Sequence, residues 1–203
     1  QTRRLYGRDV RLFPASGPDA DDSFFMKEER LCEDHSTEGQ NARHYLGIMG
    51  QGHSHATSSV RTMAAMLAGG GQVTPGDDFW TLVSYHNSKR ELGKTLNMAR
   101  NDVPTRIKQI VEKDPRKCEH VEELSGSIPS YRVPKVLQAV ECERSSGDSV
   151  DVLACTSMIS VGVDVPRLNL MTVMGQPKTS AEYIQASSRV GRGRNAAGLV
   201  VVN

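Results

Sequence analysis

Residues 150–174 read VDVLACTSMISVGVDVPRLNLMTVM. The stretch contains two apolar runs, at 150–155 and 168–174, which indicate buried strands joined by a small, polar turn. A helix is predicted over residues 180–190, and a third apolar run follows at 199–202. Strands that alternate with helices in this way are typical of a parallel sheet.

The same alternation extends toward the N-terminus, with short strands predicted at residues 45–49, 79–85 and 118–124. The fold class is therefore α/β, with a mostly parallel central sheet and helices on both faces. In such sheets functional groups gather at the C-terminal ends of the strands. We expect residues 45–203 to form this domain. Residues 1–44, which are rich in turn signals, are expected to form an irregular extension or linker.

Three of the intervening segments have helical apolar spacing. In chain order their apolar faces comprise Val60, Met63, Ala64 and Leu67; then Leu92, Leu96 and Ala99; then Val136, Leu137 and Val140. Glycines 69–71 are predicted to end the first helix. Asp102 and Pro104 are predicted to open a separate short helix after the second, and Pro134 to begin the third.

The length and composition of the chain limit its possible functions. A chain of 203 residues suits one domain plus an extension, and no apolar run approaches the roughly 20 residues that span a bilayer. The net charge of +1 disfavours broad, non-specific phosphate binding, so we expect any nucleic-acid contact to be local. Because the chain starts without an initiator Met or a leader, we expect it to be a piece of a longer protein.

The cysteines suggest reduced thiols in a cytosolic protein. Their irregular positions are Cys32, Cys118, Cys142 and Cys155. Cys32 with His35, and Cys118 with His120, form close pairs, but no second tight pair completes a tetrahedral zinc site. We therefore expect partly buried thiols and no bound metal.

The turn after residues 150–155 could carry chemistry through Thr156, Ser157, Gly162 and Asp164. Hydroxyl and amide groups at a strand end can approach a phosphate, and a carboxylate that follows can accept a ribose hydroxyl. An ordinary turn that needs Gly162 for backbone reasons explains the same residues.

A second segment, residues 183–194, reads YIQASSRVGRGR. Arg189 and Arg192 are three residues apart, so we expect them to project to the same side of a helix end, where two guanidiniums could hold a γ-phosphate. A solvated basic helix terminus, favoured by the helix dipole, explains the pattern equally well.

Together, and in this order, the two segments resemble motifs V and VI of superfamily 2 helicases. The matching residues are Thr156, Gly162 and Asp164 for motif V, and Gln185, Arg189, Gly191 and Arg192 for motif VI. Ser188 stands where motif VI has its first Gly. More weakly, residues 81–88 are similar to motif IV, and residues 124–126 to the middle of the same lobe.

The resemblance implies a RecA-like C-terminal lobe of an ATP-dependent helicase or translocase. ATP and Mg²⁺ would be held mainly by a missing N-terminal lobe of the same chain. The implied roles are catalysis for Arg189 and Arg192, with Arg192 as arginine finger; nucleotide binding for Asp164, Gly191 and Gln185; and nucleic-acid binding for Thr156, Ser157, Gly162, Ser84 and Asn87.

Residues 11–14, 22–25 and 158–164 are similar to the helicase subunit of bacterial DISARM anti-phage systems. That similarity implies DNA as the nucleic acid, another defence-system subunit as partner, and a bacterial cytoplasmic location. The alternative is a catalytically degenerate lobe that only binds nucleic acid or serves as a scaffold.

Gly93, Lys94 and Thr95 follow a predicted strand, as the end of a phosphate-binding Walker A loop would. A full loop needs Gly where Ser88 stands, and the bulky residues 89–92 do not suit a tight nest of amides. We therefore expect Gly93 to lie inside a surface helix.

Overall fold

The structure, a computed structural model, describes residues 2–9, 11, 42–73, 77–160, 164–193 and 197–203. The chain divides into two compact units, Gln1–Gln40 and Asn41–Asn203. In the first unit, helix α1 spans Thr2–Tyr6, where only irregular structure was predicted. Gly7, at φ +62°, ends it, and its N–H donates to the Arg3 carbonyl at 2.9 Å. This is the usual glycine stop of a helix.

The second unit is built on a parallel sheet. Its described strands are β1 Arg43–Gly47, β2 Leu82–His86, β3 Val121–Leu124, β4 Val152–Cys155, β5 Leu170–Met174 and β6 Gly198–Val202. They form one six-stranded sheet in the order β1-β6-β5-β2-β4-β3, and every pairing is parallel. The predicted α/β fold with a parallel sheet is confirmed. β1 begins two residues before the predicted strand at 45–49, so it takes in the end of the predicted extension.

Helices cover both faces of this sheet. They are α2 His55–Gln72, α3 Lys89–Ile110, α4 Val133–Glu141 and α5 Ser180–Ser187. Leu82 of β2 packs in the apolar cluster with α2 and α3, whereas its neighbour Val83 packs in the cluster with α4 and α5. Successive strand residues point to opposite faces, so each central strand contributes to both clusters. No helix in the described part of the chain is long and apolar enough to cross a membrane.

Helix α3 is continuous, and the separate short helix predicted from Pro104 is wrong. The buried stripe of Leu92, Leu96 and Ala99 continues through Val103 and Ile107, both 0% exposed. Fully burying an apolar side chain is worth about 1.5–3 kcal/mol, which for two residues offsets the roughly 3 kcal/mol cost of proline inside a helix. Tertiary packing therefore overrides the local helix-breaking signal.

The segment Gly93-Lys94-Thr95 lies within α3, as expected. The helix begins at Lys89, and the Ser88 hydroxyl caps it by accepting the N–H of Glu91 at 3.3 Å. Gly93 is thus in the second turn of the helix and not in a phosphate-binding loop.

The glycines at 69–71 do not end α2, which continues to Gln72. Gly70 is buried, and a Cβ atom placed on it would lie 2.2 Å from the carbonyl oxygen of Phe79. A Cβ on the neighbouring Gly69 would meet no heavy atom within 4 Å. Gly70 is therefore required because the backbone before β2 approaches α2 closely.

The variant Gly70→Ala is expected to lower the free energy of unfolding by about 1–3 kcal/mol, because backbone must move to admit the methyl group. Gly69→Ala is the matched control and should raise it by about 0.5–1 kcal/mol, since alanine is the better helix former. Urea denaturation of the two variants measures both. Equal changes in the free energy of unfolding for the two variants would show that the backbone at Phe79 does not lie against α2.

Candidate functional site

The structure brings the motif V and motif VI segments together through Asp164 and Arg192. Arg192 Nη1 lies 2.8 Å from Asp164 Oδ1, with the two side chains 37% and 68% exposed. An ion pair this exposed contributes little to stability. It places the Arg192 guanidinium beside the Asp164 carboxylate at the surface.

Gly191 anchors the loop that carries Arg192. Its φ is +64°, and a Cβ there would lie 2.7 Å from Cα of Gly198. Its N–H donates to the Leu168 carbonyl at 2.8 Å and to Asn169 Oδ1 at 3.1 Å. Because this N–H is used within the lobe, it is not free to bind a nucleotide, and nucleotide binding by Gly191 stays a prediction. Gly191 thereby fixes the backbone next to Arg192.

The helix carrying the arginines ends earlier than predicted, at Ser187. Arg189 follows that end, and the left-handed Gly191 separates it from Arg192. Helical spacing therefore does not apply between Arg189 and Arg192, and a shared direction of the two guanidiniums stays a prediction. Ser188 has φ −69° and ψ −4°, a conformation open to any residue, so its replacement of the motif's Gly leaves the backbone undisturbed. Gln185 is exposed on α5.

Two arginines that hold the site in place were not recognised from sequence. Arg43 of β1 donates from Nε to the Val190 carbonyl at 2.8 Å. Arg167 donates from Nε to Asp77 Oδ2 at 2.9 Å and from Nη1 to the Val140 carbonyl at 2.6 Å. Arg167 follows Asp164 by three residues and therefore fixes that connection to the rest of the lobe. A lone arginine has no sequence signal for such a role.

The Asp164–Arg192 pair lies next to the edge where β5 and β6 begin. Gly191, beside Arg192, bonds to Leu168 just before β5 and contacts Gly198 at the start of β6. This edge is opposite to the one where parallel strands end, at which functional groups are expected. The pair reaches it because α5 returns the chain to the starting edge before motif VI begins.

The predicted nucleic-acid group lies at the other edge, where strands end. Thr156 and Ser157 follow β4, and Asn87 follows β2, which pairs directly with β4. Asn87 Nδ2 donates to the carbonyls of Gly175 and Gln176 at 3.0 and 3.2 Å. Neighbouring strands therefore place these residues at one edge of the sheet, and their contact with nucleic acid stays a prediction. Gly162 lies outside the described residues, as do residues 12–14 and 22–25 and the pair Cys32 and His35.

Ser84 does not fit the predicted nucleic-acid contact. It lies inside β2, is 0% exposed, and its Oγ is 3.0 Å from Nε2 of His86. A phosphate backbone cannot reach this hydroxyl without opening the sheet. His86 is itself 1% exposed. Burial, and then the nearby His55, lower the pKa of His86 from 6.5 to about 4.

Protonation of His86 is expected to destabilise the lobe on acidification. The folded state holds this imidazole neutral, whereas the unfolded state binds a proton below pH 6.5. The stability that the neutral imidazole contributes is therefore fully present above pH 6.5 and is lost as the pH falls through about 4. The difference between the two pKa values corresponds to about 3 kcal/mol at most.

Urea midpoints between pH 7 and 4 test this in the unchanged chain, in His86→Gln and in His44→Gln, the last an exposed histidine of β1. His86→Gln should show a flatter profile, and His44→Gln an unchanged one. Parallel profiles for all three would contradict the buried, neutral imidazole.

Among the described residues, no group of three or more His, Cys, Asp and Glu side chains is arranged to hold a metal ion. Cys118 and Cys155 are buried free thiols. Burial raises the pKa of Cys118 to about 12.

Comparison with known proteins defines the class. The pattern of the helicase conserved C-terminal domain matches residues 80–194, more than half of the chain. The matched region contains β2 and β4, which Asn87 and Thr156 follow, as well as the Asp164–Arg192 pair. This chain therefore belongs to the helicase C-terminal domain family.

A curated relative agrees with the narrower resemblance. The chain is 37% identical over 215 residues to the DISARM protein DrmA of Bacillus paralicheniformis (strain ATCC 9945a / NCIMB 11709 / CD-2). The match covers the whole chain but only 19% of DrmA. The predicted similarity to a DISARM subunit is confirmed.

Solved structures agree on the fold. The helicase Lhr of Mycobacterium smegmatis, bound to ssDNA and AMP-PNP, superposes with a TM-score of 0.53 at 13% identity, over 82% of this chain and 19% of Lhr. The DUF1998 helicase MrfA, bound to DNA, gives a TM-score of 0.53 at 16% identity, over 78% of this chain and 19% of MrfA. The RecA-like architecture is thereby confirmed.

Proposed function

We propose that this chain is the C-terminal motor lobe of an ATP-dependent DNA helicase or translocase within a longer protein. The observation that carries the proposal is the Asp164–Arg192 pair, because it joins two distant motif segments at one surface of the lobe. The match to DrmA, of which this chain spans 19%, supports a longer protein that supplies further domains.

Arg192 is the group we assign to the γ-phosphate. Its guanidinium is partly exposed, and Asp164 is the carboxylate that holds it. A triphosphate presented by an opposing lobe carries more charge than one carboxylate and accepts paired guanidinium hydrogen bonds. Arg192 would therefore transfer from Asp164 to the γ-phosphate, and Asp164 would then be able to accept a ribose hydroxyl. Arg189 and Gln185, on the same segment, would complete the contacts.

ATP and Mg²⁺ fit a site completed by another lobe. A magnesium ion bound with nucleotide is held by one or two carboxylates together with phosphates. Asp164 is engaged with Arg192, and the other described residues offer no carboxylate cluster beside the pair. The phosphate cradle and metal ligands are thus assigned to the N-terminal lobe, while this chain supplies guanidiniums. When bound, the metal would neutralise charge on the phosphates.

Nucleic acid is assigned to the edge where β2 and β4 end. Hydroxyl and amide side chains such as those of Thr156, Ser157 and Asn87 can hydrogen-bond to phosphate and sugar oxygens. Contacts of this kind do not distinguish one base from another. We expect little sequence specificity from this edge. The similarity to DISARM protein DrmA supports DNA as the nucleic acid, a role in phage defence, and another subunit of that system as partner.

Replacing the proposed arginine finger tests the motor role. In a longer protein that carries both lobes, Arg192→Ala should lower DNA-stimulated ATP hydrolysis by about 10³- to 10⁵-fold, because charge that develops in the transition state loses its stabilising cation. ATP binding should persist, since the other lobe holds most of the nucleotide. Steady-state hydrolysis and equilibrium binding of a fluorescent nucleotide measure the two effects.

Arg106→Ala is the matched control, because Arg106 is a partly exposed arginine of α3 whose Nη1 bonds only to Gln109 in the described structure. It should hydrolyse ATP normally. Unchanged hydrolysis in Arg192→Ala would overturn the motor role and favour a lobe that only binds or scaffolds.

The Thr156 hydroxyl tests the nucleic-acid edge. Thr156→Val keeps the side-chain shape and removes one hydrogen bond, so DNA affinity should fall by about 1 kcal/mol, roughly fivefold, to a similar degree on unrelated sequences. The dependence on salt should stay the same, since no charge is lost. Fluorescence anisotropy in the two-lobe protein measures this.

Thr105→Val, on the exposed side of α3, is the control and should bind DNA normally. If Thr156→Val binds as tightly as this control, Thr156 does not contact the backbone.

A further inference from the structure

A polar pocket of about 440 Å³ lies where β2, β3 and β4 begin, and neither Asp164 nor Arg192 lines it. Trp80, Arg116 and Asp151 line it together with the exposed Lys113 and Lys117. The chain reaches these positions immediately before or between strands. Neither the helicase motifs nor the proposed motor function uses any of them.

Arg116 is held rigidly inside this pocket. Its Cζ lies 3.5 Å from the centroid of the Trp80 ring, and its Nε and Nη2 donate to Asp151 Oδ1 at 2.9 and 2.7 Å. The side chain is 7% exposed. A guanidinium fixed in this way is preorganised for a ligand, because little conformational freedom remains to be lost on binding.

Two buried donors in the pocket lack acceptors. Nη1 of Arg116 and Nε1 of Trp80 have no hydrogen-bond partner in the part of the chain that the structure describes. Buried donors are nearly always satisfied in folded proteins, since leaving one unpaired is costly. Both residues line the same cavity, which is where an acceptor for the two donors would have to enter.

Positive charge also accumulates around Trp80. Arg144 Cζ lies 4.3 Å from the same ring centroid. Burial lowers the pKa of Arg116, and repulsion from Arg144 lowers it further, against the opposing effect of Asp151. The lining has four cationic side chains, Lys113, Arg116, Lys117 and Arg144, against three carboxylates, Asp114, Glu119 and Asp151.

The ends of two helices explain part of this charge but not the buried donors. Gln72 ends α2 and Val111 caps α3, and both line the pocket. Helix C-termini favour nearby cations, which accounts for lysines at the opening. Their carbonyl groups do not reach Arg116 Nη1 or Trp80 Nε1, which remain without acceptors. An acceptor of negative charge is the chemistry that meets both requirements.

We propose that this pocket binds the phosphate group of a small molecule. A phosphate has several acceptor oxygens in a tetrahedral arrangement, so donors from different directions can reach it at once. Arg116 Nη1 and Trp80 Nε1 would donate to these oxygens, and Lys113, Lys117 and Arg144 would balance the charge. The site is independent of the proposed ATP contacts.

Trp80 makes the test direct, because it is the single tryptophan of the chain. Orthophosphate titrated into the 203-residue chain should change the Trp80 emission saturably, whereas chloride at equal ionic strength should not. The double variant Lys113→Ala/Lys117→Ala, which alters two exposed side chains, should bind phosphate at least tenfold more weakly. Lys135→Ala, an exposed lysine on α4, should bind normally. An identical response to chloride would overturn the proposal.

Trp80→Phe keeps the ring under Arg116 and removes only the Nε1 donor. Calorimetry should show about tenfold weaker phosphate binding, the expected loss of one charge-assisted hydrogen bond. Undiminished binding would overturn the proposed contact.

The variant Arg192→Ala tests whether phosphate binds in this pocket or at motif VI. It should leave the change in Trp80 emission on addition of orthophosphate the same. Loss of the response in that variant would assign the binding to motif VI and overturn the proposal.

Titration with ADP identifies the source of the phosphate. Tighter binding of ADP than of orthophosphate indicates a nucleotide, and tighter binding of orthophosphate indicates the free anion; both support the site.

Discussion

Burial of the central strands on both faces is the constraint on which the lobe depends. Every residue of β2, β4 and β5 is buried. A strand buried on both sides needs a helical layer on each side, because its alternate side chains point in opposite directions. Parallel pairing then requires each connection to return across a face of the sheet. Helices α2 to α5 lie in four of the five connections, and the connection from β4 to β5 has only the short 3-10 helix Ser157–Ser160 among its described residues. The layers and their order follow from that requirement.

The same requirement links the two candidate functional regions. Thr156 lies where β4 ends, whereas Asp164 lies in the same connection shortly before β5 begins at the opposite edge. One short stretch of chain therefore carries both the proposed nucleic-acid residue Thr156 and the partner of Arg192. Arg167 fastens this stretch through Asp77 and Val140. In a motor, such a connection is a physical path by which a change at Arg192 could reach the nucleic-acid edge.

Local sequence signals failed where tertiary contacts outweighed them. Pro104 carries a strong helix-breaking signal, yet the buried Val103 and Ile107 keep α3 continuous. Glycines 69–71 look like a helix stop, yet Gly70 is needed for the close approach of Phe79. Ser84 matched a motif position, but its side chain is buried within the folded lobe. In each case burial or a close approach in the folded lobe decides the outcome, and a local pattern does not reveal it.

The sequence by itself determined the fold class, most strand positions and the motif residues, because runs of apolar residues and the spacing of motif residues can be recognised within short segments of the chain. It also placed Gly93 in a helix. Only the tertiary structure decided that Gly191 anchors the motif VI loop, that Arg192 meets Asp164, and that this pair lies at the edge where β5 and β6 begin. The contacts made by Arg43 and Arg116 were equally invisible. These features depend on distances between segments far apart in the chain, which folding sets and linear spacing does not encode.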